Sequence, residues 1–95
     1  MYAVVRRYSG PGATELFAEI EKKRGDVERI IRGVPGFVAY SAVKTDEGGV
    51  TVTVCQDKAG TDESLRVAAA WVKENATIPV SAPAVNEGST ILQLS

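Results

Sequence analysis

The sequence of 95 residues predicts a single α+β domain of the ferredoxin-like class, with its elements in the order βαββαβ. Runs rich in β-branched and aromatic residues alternate with segments of helical period, and turn residues separate the elements. A chain of this length builds one core of two layers, so we expect residues 1–95 to form one domain. Its four-stranded antiparallel sheet would carry two helices on one face.

The first part of the chain predicts a strand followed by a long helix. Residues 2–8 form a β-rich run that stops at the breaker of residues 9–12. The next apolar residues have helical spacing: Leu16, Phe17, Ile20, Val27, Ile30, Ile31 and Val34. Gly25 costs this helix about 1 kcal/mol relative to alanine, so we expect a kink or a close contact there. Beyond the helix, Pro35-Gly36 has the chemistry of a type II turn.

The second part of the chain predicts a hairpin and a final strand. Residues 37–44 and 50–56 are β-rich, and the loop of residues 45–49 contains two glycines that suit a hairpin. These runs are therefore expected to be antiparallel strands two and three. Residues 77–84, with two prolines, predict an extended loop. The apolar residues of segment 89–94 predict the fourth strand.

A second helix is predicted between the hairpin and the final loop. Thr61 is placed to cap this helix, and Asp62 and Glu63 lie near the positive end of its dipole. The helix is expected to run to about Asn75. Its apolar stripe consists of Leu65, Ala68, Ala69 and Val72, with Trp71 beside it.

Apolar residues occupy both faces of the predicted sheet. Strand three sets Val50, Val52 and Val54 against Thr51, Thr53 and Cys55. Strand two sets Phe37, Ala39 and Val43 against Val38, Tyr40 and Ala42, and strand four sets Leu92 and Leu94 against Ile91. Because the helices cover one face only, we expect a homodimer formed through the open face. The alternative is a second face rich in Thr, Ser and Ala that stays solvated.

The composition excludes several classes of partner and cofactor. A net charge of −1 and a pI near 5.4 give no general attraction to a nucleic-acid backbone. No apolar run approaches the roughly 20 residues that cross a bilayer, so we expect no membrane association. One cysteine and no histidine leave neither an internal disulfide nor the ligands of a zinc site. We therefore expect no metal and a cytoplasmic location.

Three segments together resemble a known family: Pro35-Gly36-Phe37, the hairpin of residues 46–54 and the helix end of residues 69–75. They are similar to small stand-alone members of the dimeric α+β barrel superfamily, in the antibiotic biosynthesis monooxygenase-like (ABM) branch. The resemblance implies a cavity between the sheet and the helices, where some relatives oxidise aromatic substrates with O₂ and no cofactor. Haem-dependent relatives hold iron through an imidazole, which a chain without histidine cannot supply. We therefore expect no cofactor.

Four residues are of the types that position substrates in such relatives, and they are the candidates for a substrate-binding pocket: Arg6, Tyr40, Trp71 and Asn75. Each also has a structural explanation. Trp71 fits a core position, and Tyr40 fits a strand or an interface. Arg6 fits an exposed edge charge or ion pair, and Asn75 fits a helix C-cap. Cys55 is expected to be a small buried residue, and no residue is assigned a catalytic role.

Two functions are compatible with these observations. The first is an enzyme, a cofactor-independent oxygenase or related catalyst that acts on a small aromatic molecule. The second is a non-catalytic dimer that binds a small ligand or serves in a stress response. Other proteins of this topology fit less well. An RNA-recognition domain needs aromatic residues on strand three, and a metal-carrying domain needs a CxxC pair.

Overall fold

A four-stranded antiparallel sheet with its helices packed on one face forms the domain, in a computed structural model that describes residues 1–94. The elements are β1 (Tyr2–Tyr8), α1 (Ala13–Lys22), α2 (Arg24–Arg32), β2 (Phe37–Thr45), β3 (Gly48–Cys55), α3 (Lys58–Asn75) and β4 (Ala84–Ser89). The strand order is β2-β3-β1-β4, and each neighbouring pair is antiparallel. The predicted ferredoxin-like fold is confirmed. In the part of the chain described, no helix combines the length and the apolar character needed to cross a membrane.

The inner strand β1 lies between β3 and β4, and its side chains alternate between the two faces of the sheet. Val4, Arg6 and Tyr8 are buried on the side of the helices, whereas Arg7 is exposed on the other side. Arg6 of β1 lies opposite Thr51 of the neighbouring strand β3, so the threonines of β3 lie on the same side of the sheet as the helices. The strand β1 therefore places apolar side chains and the charged side chain of Arg6 beneath the helices.

The open face of the sheet consists mainly of small apolar side chains, at positions Ala3, Val5, Ala39, Val43, Val50, Val52 and Val54. The alternation predicted for strand three is thereby confirmed. In β2 a bulge lies between Phe37 and Ala39, so that Phe37 pairs with Cys55 on the helix side and Ala39 with Val54 on the open side. The prediction that Phe37 shares a face with Ala39 and Val43 is wrong, because a bulge inserts one residue into the alternation.

The predicted first helix is two helices, α1 and α2, which meet at Lys23 and not at Gly25. Lys23 has a non-helical backbone, with φ −112° and ψ 35°. Its ammonium group lies 3.2 Å from the Glu19 carboxylate and donates to Asn75 Oδ1 at 3.0 Å. Gly25 lies in the first turn of α2, with open space where a Cβ would be. The bend therefore coincides with a contact between Lys23 and α3. The low helix propensity of glycine cannot predict a contact between residues so far apart in the sequence.

The helix α3 begins four residues earlier than predicted, because Asp57 and not Thr61 is its N-cap. Asp57 Oδ1 accepts the backbone N–H of Gly60 at 3.2 Å. A Cβ on Gly60 would lie 2.4 Å from the Pro35 carbonyl oxygen and 2.7 Å from Cys55 Cβ, so this first turn presses directly on its neighbours. Thr61 is consequently buried inside the helix, where its hydroxyl donates to the Lys58 carbonyl.

The buried stripe of α3 is rotated relative to the prediction. Its buried residues are Gly60, Thr61, Ser64 and Trp71. Leu65, Ala68 and Val72 are only partly buried, and Ala69 is exposed. The Ser64 hydroxyl donates to the Thr61 carbonyl at 2.6 Å, so this polar group needs no partner on the sheet. Trp71 is in the hydrophobic core, as its structural explanation predicted.

The fourth strand is Ala84–Ser89, so the prediction of a strand over residues 89–94 is wrong. β4 pairs with β1 from Arg7↔Ala84 to Tyr2↔Ser89. A last bond joins the Thr90 N–H to the Met1 carbonyl at 2.9 Å, and β1 offers no further partner beyond it. The apolar residues that suggested a strand are instead exposed: Ile91 by 98%, Leu92 by 72% and Leu94 by 79%.

Candidate functional site

A cleft lies over β1, between α3 and the segment of residues 80–83, and we call it the Arg6 cleft. Its volume is about 390 Å³. Arg6 and Tyr8 line it from β1, Leu65, Ala69 and Val72 from α3, and Val80, Ser81, Ala82 and Pro83 from the segment after that helix. Most of these side chains are apolar, and Arg6 supplies the positive charge. The cleft is therefore an apolar slot with one cationic group.

The strand β1 holds Arg6 in place through its neighbours. Arg6 points under the helices because it alternates with Arg7, and only 3% of its surface is exposed. Its Nε donates to Thr51 Oγ1 at 3.0 Å, which fixes the side chain against β3. The structural explanation for Arg6 was an exposed edge charge or an ion pair. Arg6 is instead buried, and within residues 1–94 it forms no ion pair.

Two tyrosines lie near the Arg6 guanidinium and remain neutral at pH 7. Burial raises the pKa of both Tyr8 and Tyr40 above the ordinary tyrosine value, although the charge of Arg6 acts in the opposite direction. A neutral phenol does not compensate the positive charge of the guanidinium. Arg6 is therefore a buried cation that lacks a counter-charge among the described residues.

A small void behind the cleft brings three of the four predicted pocket residues together. Arg6, Tyr40 and Trp71 all line it, with Tyr8 and Thr51 beside them. Its volume is about 20 Å³, which is the space of a single water molecule. The void is therefore too small for a ligand, and Tyr40 and Trp71 form the wall behind Arg6 rather than the cleft itself.

Asn75, the fourth predicted pocket residue, lies at the end of α3 and not among the residues that line the cleft or the void. Its side-chain amide donates to the Trp71 carbonyl at 2.9 Å, and its Oδ1 accepts from Lys23. Asn75 is the last residue of α3, and the C-cap is Ala76, whose N–H donates to the Val72 carbonyl at 2.9 Å. The prediction that Asn75 is the C-cap is therefore wrong by one residue, and its side chain instead links the end of α3 to Lys23.

A second cleft of about 360 Å³ lies between α2 and β2 and is lined by Ile20, Arg24, Val27, Glu28, Ile31, Arg32, Phe37, Tyr40 and Ala42. Arg32 in this cleft has a counter-charge, since its Nε lies 2.8 Å from the Glu28 carboxylate. Its guanidinium also lies 5.8 Å from the centre of the Phe37 ring. This cleft therefore lacks the buried, uncompensated charge that distinguishes the Arg6 cleft.

Cys55 is fully buried, and burial together with the negative charge of Asp57 raises the pKa of its thiol. The prediction of a small buried residue is confirmed. A thiol with a raised pKa is a poor nucleophile at pH 7.

Most of the residues that line the Arg6 cleft were not predicted to do so from the sequence. Tyr8 could have been found, because it lies two residues after Arg6 on the same strand and so shares its face. Segment 80–83 gave no such signal. Its position depends on Gly12, where a Cβ would lie 2.2 Å from the Pro79 carbonyl oxygen.

Comparison with known proteins supports the fold through structure alone. No protein-family model matches the chain, and no curated protein is significantly similar to it. The heme-degrader MhuD of Mycobacterium tuberculosis, solved with two hemes in its active site, matches with a TM-score of 0.68 at 15% identity over 100% of both chains. A Nitrosomonas europaea protein of unknown function matches with a TM-score of 0.66 at 18% identity, over 99% of this chain and 91% of that one.

A third solved structure with this fold is the monooxygenase from the ActVA-Orf6 gene of Streptomyces coelicolor, in complex with nanaomycin D. It matches with a TM-score of 0.56 at 17% identity, over 99% of this chain and 90% of that one. These neighbours confirm the predicted fold. At such identities they establish the architecture and not an activity.

Proposed function

We propose that this protein binds a small aromatic molecule in the Arg6 cleft and oxidises it with O₂, without a cofactor. The observation that carries the proposal is a cleft of about 390 Å³ with apolar walls, lined in part by Arg6, which is buried and has no ion pair within residues 1–94. Ligand sites in proteins typically enclose roughly 300–1,000 Å³ and combine apolar walls with few polar groups. The monooxygenase that has the same fold and was solved with nanaomycin D supports the reaction class.

The reaction that suits this cleft is conversion of a phenol to a quinone. One molecule of O₂ reacts with the ionised phenol, one of its atoms becomes the new quinone oxygen, and the other leaves as water. The substrate supplies all the electrons, so the balance requires no further reductant. Arg6 would hold the negative oxygen, and the apolar side chains of Leu65 and Val72 would exclude water from the ring.

Dioxygen consumption with 1-naphthol tests this proposal. The wild-type protein should consume one O₂ per 1,4-naphthoquinone formed, and ¹⁸O₂ should place one labelled atom in the quinone. Arg6→Gln should lose most of this activity. Arg29→Gln is the matched control, because Arg29 is exposed on α2 and pairs with Asp26 outside the cleft. Absence of O₂ consumption with a series of phenols and quinols, by folded protein, would refute the oxygenase.

The second candidate function is a non-catalytic binding protein, and the composition of the cleft favours it. No carboxylate and no second charged group lines the Arg6 cleft, so it offers no pair of acid and base residues. Calorimetric titration separates the two functions. Binding of an aromatic ligand without O₂ consumption would select this second candidate, which includes a role in a stress response.

We also propose that two copies of the chain associate through the open face of the sheet. This face carries Val5, Val50 and Val52, and Val43 on β2 is 52% exposed in the single chain. Burial of such a face in a twofold interface would remove the apolar surface from water. Val52→Lys should give a monomer in sedimentation velocity, whereas Ala70→Lys on the exposed side of α3 should not. A wild-type protein that sediments as a monomer would contradict this assembly.

The proposed function uses no haem, because the chain has no histidine to hold the iron. We place it in the cytoplasm, where a reducing environment keeps the thiol of Cys55 free.

A further inference from the structure

We propose that the molecule bound in the Arg6 cleft is a monoanion, in which a planar aromatic ring carries one carboxylate or one ionised phenol oxygen. This inference deepens the proposed function, since it rests on ligand binding in that cleft and adds the charge and the shape of the ligand. It does not depend on whether oxidation occurs. Its basis is the charge balance and the hydrogen bonds of Arg6.

The charge balance around Arg6 is incomplete in the protein alone. The side chain is only 3% exposed, and it carries the positive charge of a guanidinium. No carboxylate of residues 1–94 lies within 4.0 Å of it. Buried charges in proteins are usually paired or bound to a ligand, because loss of hydration without a partner is unfavourable. An anion in the cleft would complete the pair.

The hydrogen bonds of Arg6 leave the required donors free. A guanidinium has five N–H donors, and here the Nε donor is used by Thr51 Oγ1 at 3.0 Å. Within the described part of the chain the terminal amino groups have no carboxylate partner. Two such groups form a planar fork that matches the two oxygens of a carboxylate or a single phenolate oxygen. Thr51 restrains the guanidinium through Nε, and Arg6 is one of the residues that line the cleft.

The rest of the cleft favours one negative charge and an aromatic body. Apart from Arg6, its polar side chains are the neutral hydroxyls of Tyr8 and Ser81, so a dianion would keep one charge uncompensated. The remaining walls are apolar, and Ala69 leaves room beside them for a flat ring. A volume of about 390 Å³ is much larger than a simple inorganic anion needs. An aromatic acid or phenolate fits both properties.

Paired ligands that differ only in charge test this inference. Calorimetric titration of the wild-type protein with 2-naphthoate and with 2-naphthamide, at pH 7, compares an anion with a neutral molecule of the same shape. We expect 2-naphthoate to bind at least roughly tenfold more tightly. In Arg6→Gln the two affinities should become equal within about twofold, and in Arg29→Gln the preference should persist. Circular dichroism of each variant checks that it is folded.

A nitrophenol distinguishes the phenolate from the carboxylate as the source of the anion. Its ionised form absorbs in the visible range, so the titration reports its pKa directly. Wild-type protein should lower the pKa of the bound nitrophenol, and Arg6→Gln should abolish this shift. If only the naphthoate shows a preference, the ligand is an aromatic acid; if only the nitrophenol shifts, it is a phenol.

Three outcomes separate this inference from the proposed function. Equal affinity of the wild-type protein for naphthoate and naphthamide, with no pKa shift of nitrophenol, would overturn the anion inference and leave ligand binding intact. Binding of neither ligand nor the nitrophenol would overturn both. A preference for naphthoate that survives in folded Arg6→Gln would also overturn the inference, because another group would then hold the anion.

Discussion

Replacement of Gly49 by alanine tests how closely α1 packs on the sheet next to the Arg6 cleft. A Cβ at position 49 would lie between 2.2 and 2.5 Å from three atoms of the Phe17 ring. The Phe17 ring is buried and makes an edge-to-face contact with Tyr8, with ring centres 5.7 Å apart and an interplanar angle of 63°. Phe17 therefore has to move, and its contact with Tyr8 changes with it.

The structure permits an estimate of the cost. An extra methyl group in a well-packed core typically costs about 1–3 kcal/mol. Loss of an edge-to-face aromatic pair adds about 0.5–1.5 kcal/mol. We therefore expect Gly49→Ala to lower the free energy of unfolding by about 2–4 kcal/mol, which corresponds to roughly 10–25 °C in Tm for a domain of this size.

Urea denaturation at fixed protein concentration, followed by circular dichroism, measures this change. Gly25→Ala is the control with the same chemical change, because open space surrounds position 25 in α2. That variant should be more stable than wild type by about 0.5–1 kcal/mol. If Gly49→Ala proved as stable as wild type, Phe17 would have room to move, and the close packing inferred here would be refuted.

Three further predictions concern the helix cap, the buried tyrosines and the chain end. Asp57→Ala should lower the free energy of unfolding, measured by urea denaturation, by about 1 kcal/mol, whereas Asp57→Asn should stay close to wild type because asparagine also caps helices. Equal stability of the wild type and both variants would contradict the role of Asp57 as a cap. Burial raises the pKa of Tyr8 and Tyr40, so as the pH rises the native state keeps their phenol protons longer than the unfolded chain does. The contribution of these protons to the free energy of unfolding is therefore complete below pH 10 and is lost as the pH rises above 10. The Tm should therefore fall above pH 10, and Tyr8→Phe/Tyr40→Phe should reduce that fall. Removal of residues 91–95 should weaken the proposed dimer, because this segment includes the exposed apolar residue Ile91. Sedimentation equilibrium measures the dissociation constant of the dimer, and an unchanged value would contradict a role of this segment in the interface.

The elements that local sequence patterns control were predicted well. β1 was predicted at its observed bounds, because a β-rich run meets a strong breaker. The turn after α2 has the predicted type II character: Gly36 has a φ of 71°, and the Phe37 N–H donates to the Val34 carbonyl at 3.2 Å. Both features depend on residues adjacent in the chain.

The errors occurred where distant residues compete. Thr61 and Asp57 are both suitable N-cap residues for α3. The observed N-cap is Asp57, and the helix turn that follows it packs Gly60 closely against Pro35 and Cys55. Segment 89–94 has strand composition, yet β1 offers no partner to it beyond Ser89. Local propensity did not contain this information, because each choice depends on which surfaces meet after folding.

For the candidate site, the sequence by itself determined that Arg6 and Arg7 lie on opposite faces of one strand, and that Arg6, Tyr40 and Trp71 are the residue types available to a pocket. Only the tertiary structure decided which arginine is buried, that it has no ion pair within residues 1–94, and that Asn75 contacts Lys23 at the bend between α1 and α2. The physical reason is that alternation along a strand is a local property. Burial and charge balance, in contrast, depend on all the groups that the fold brings around a side chain.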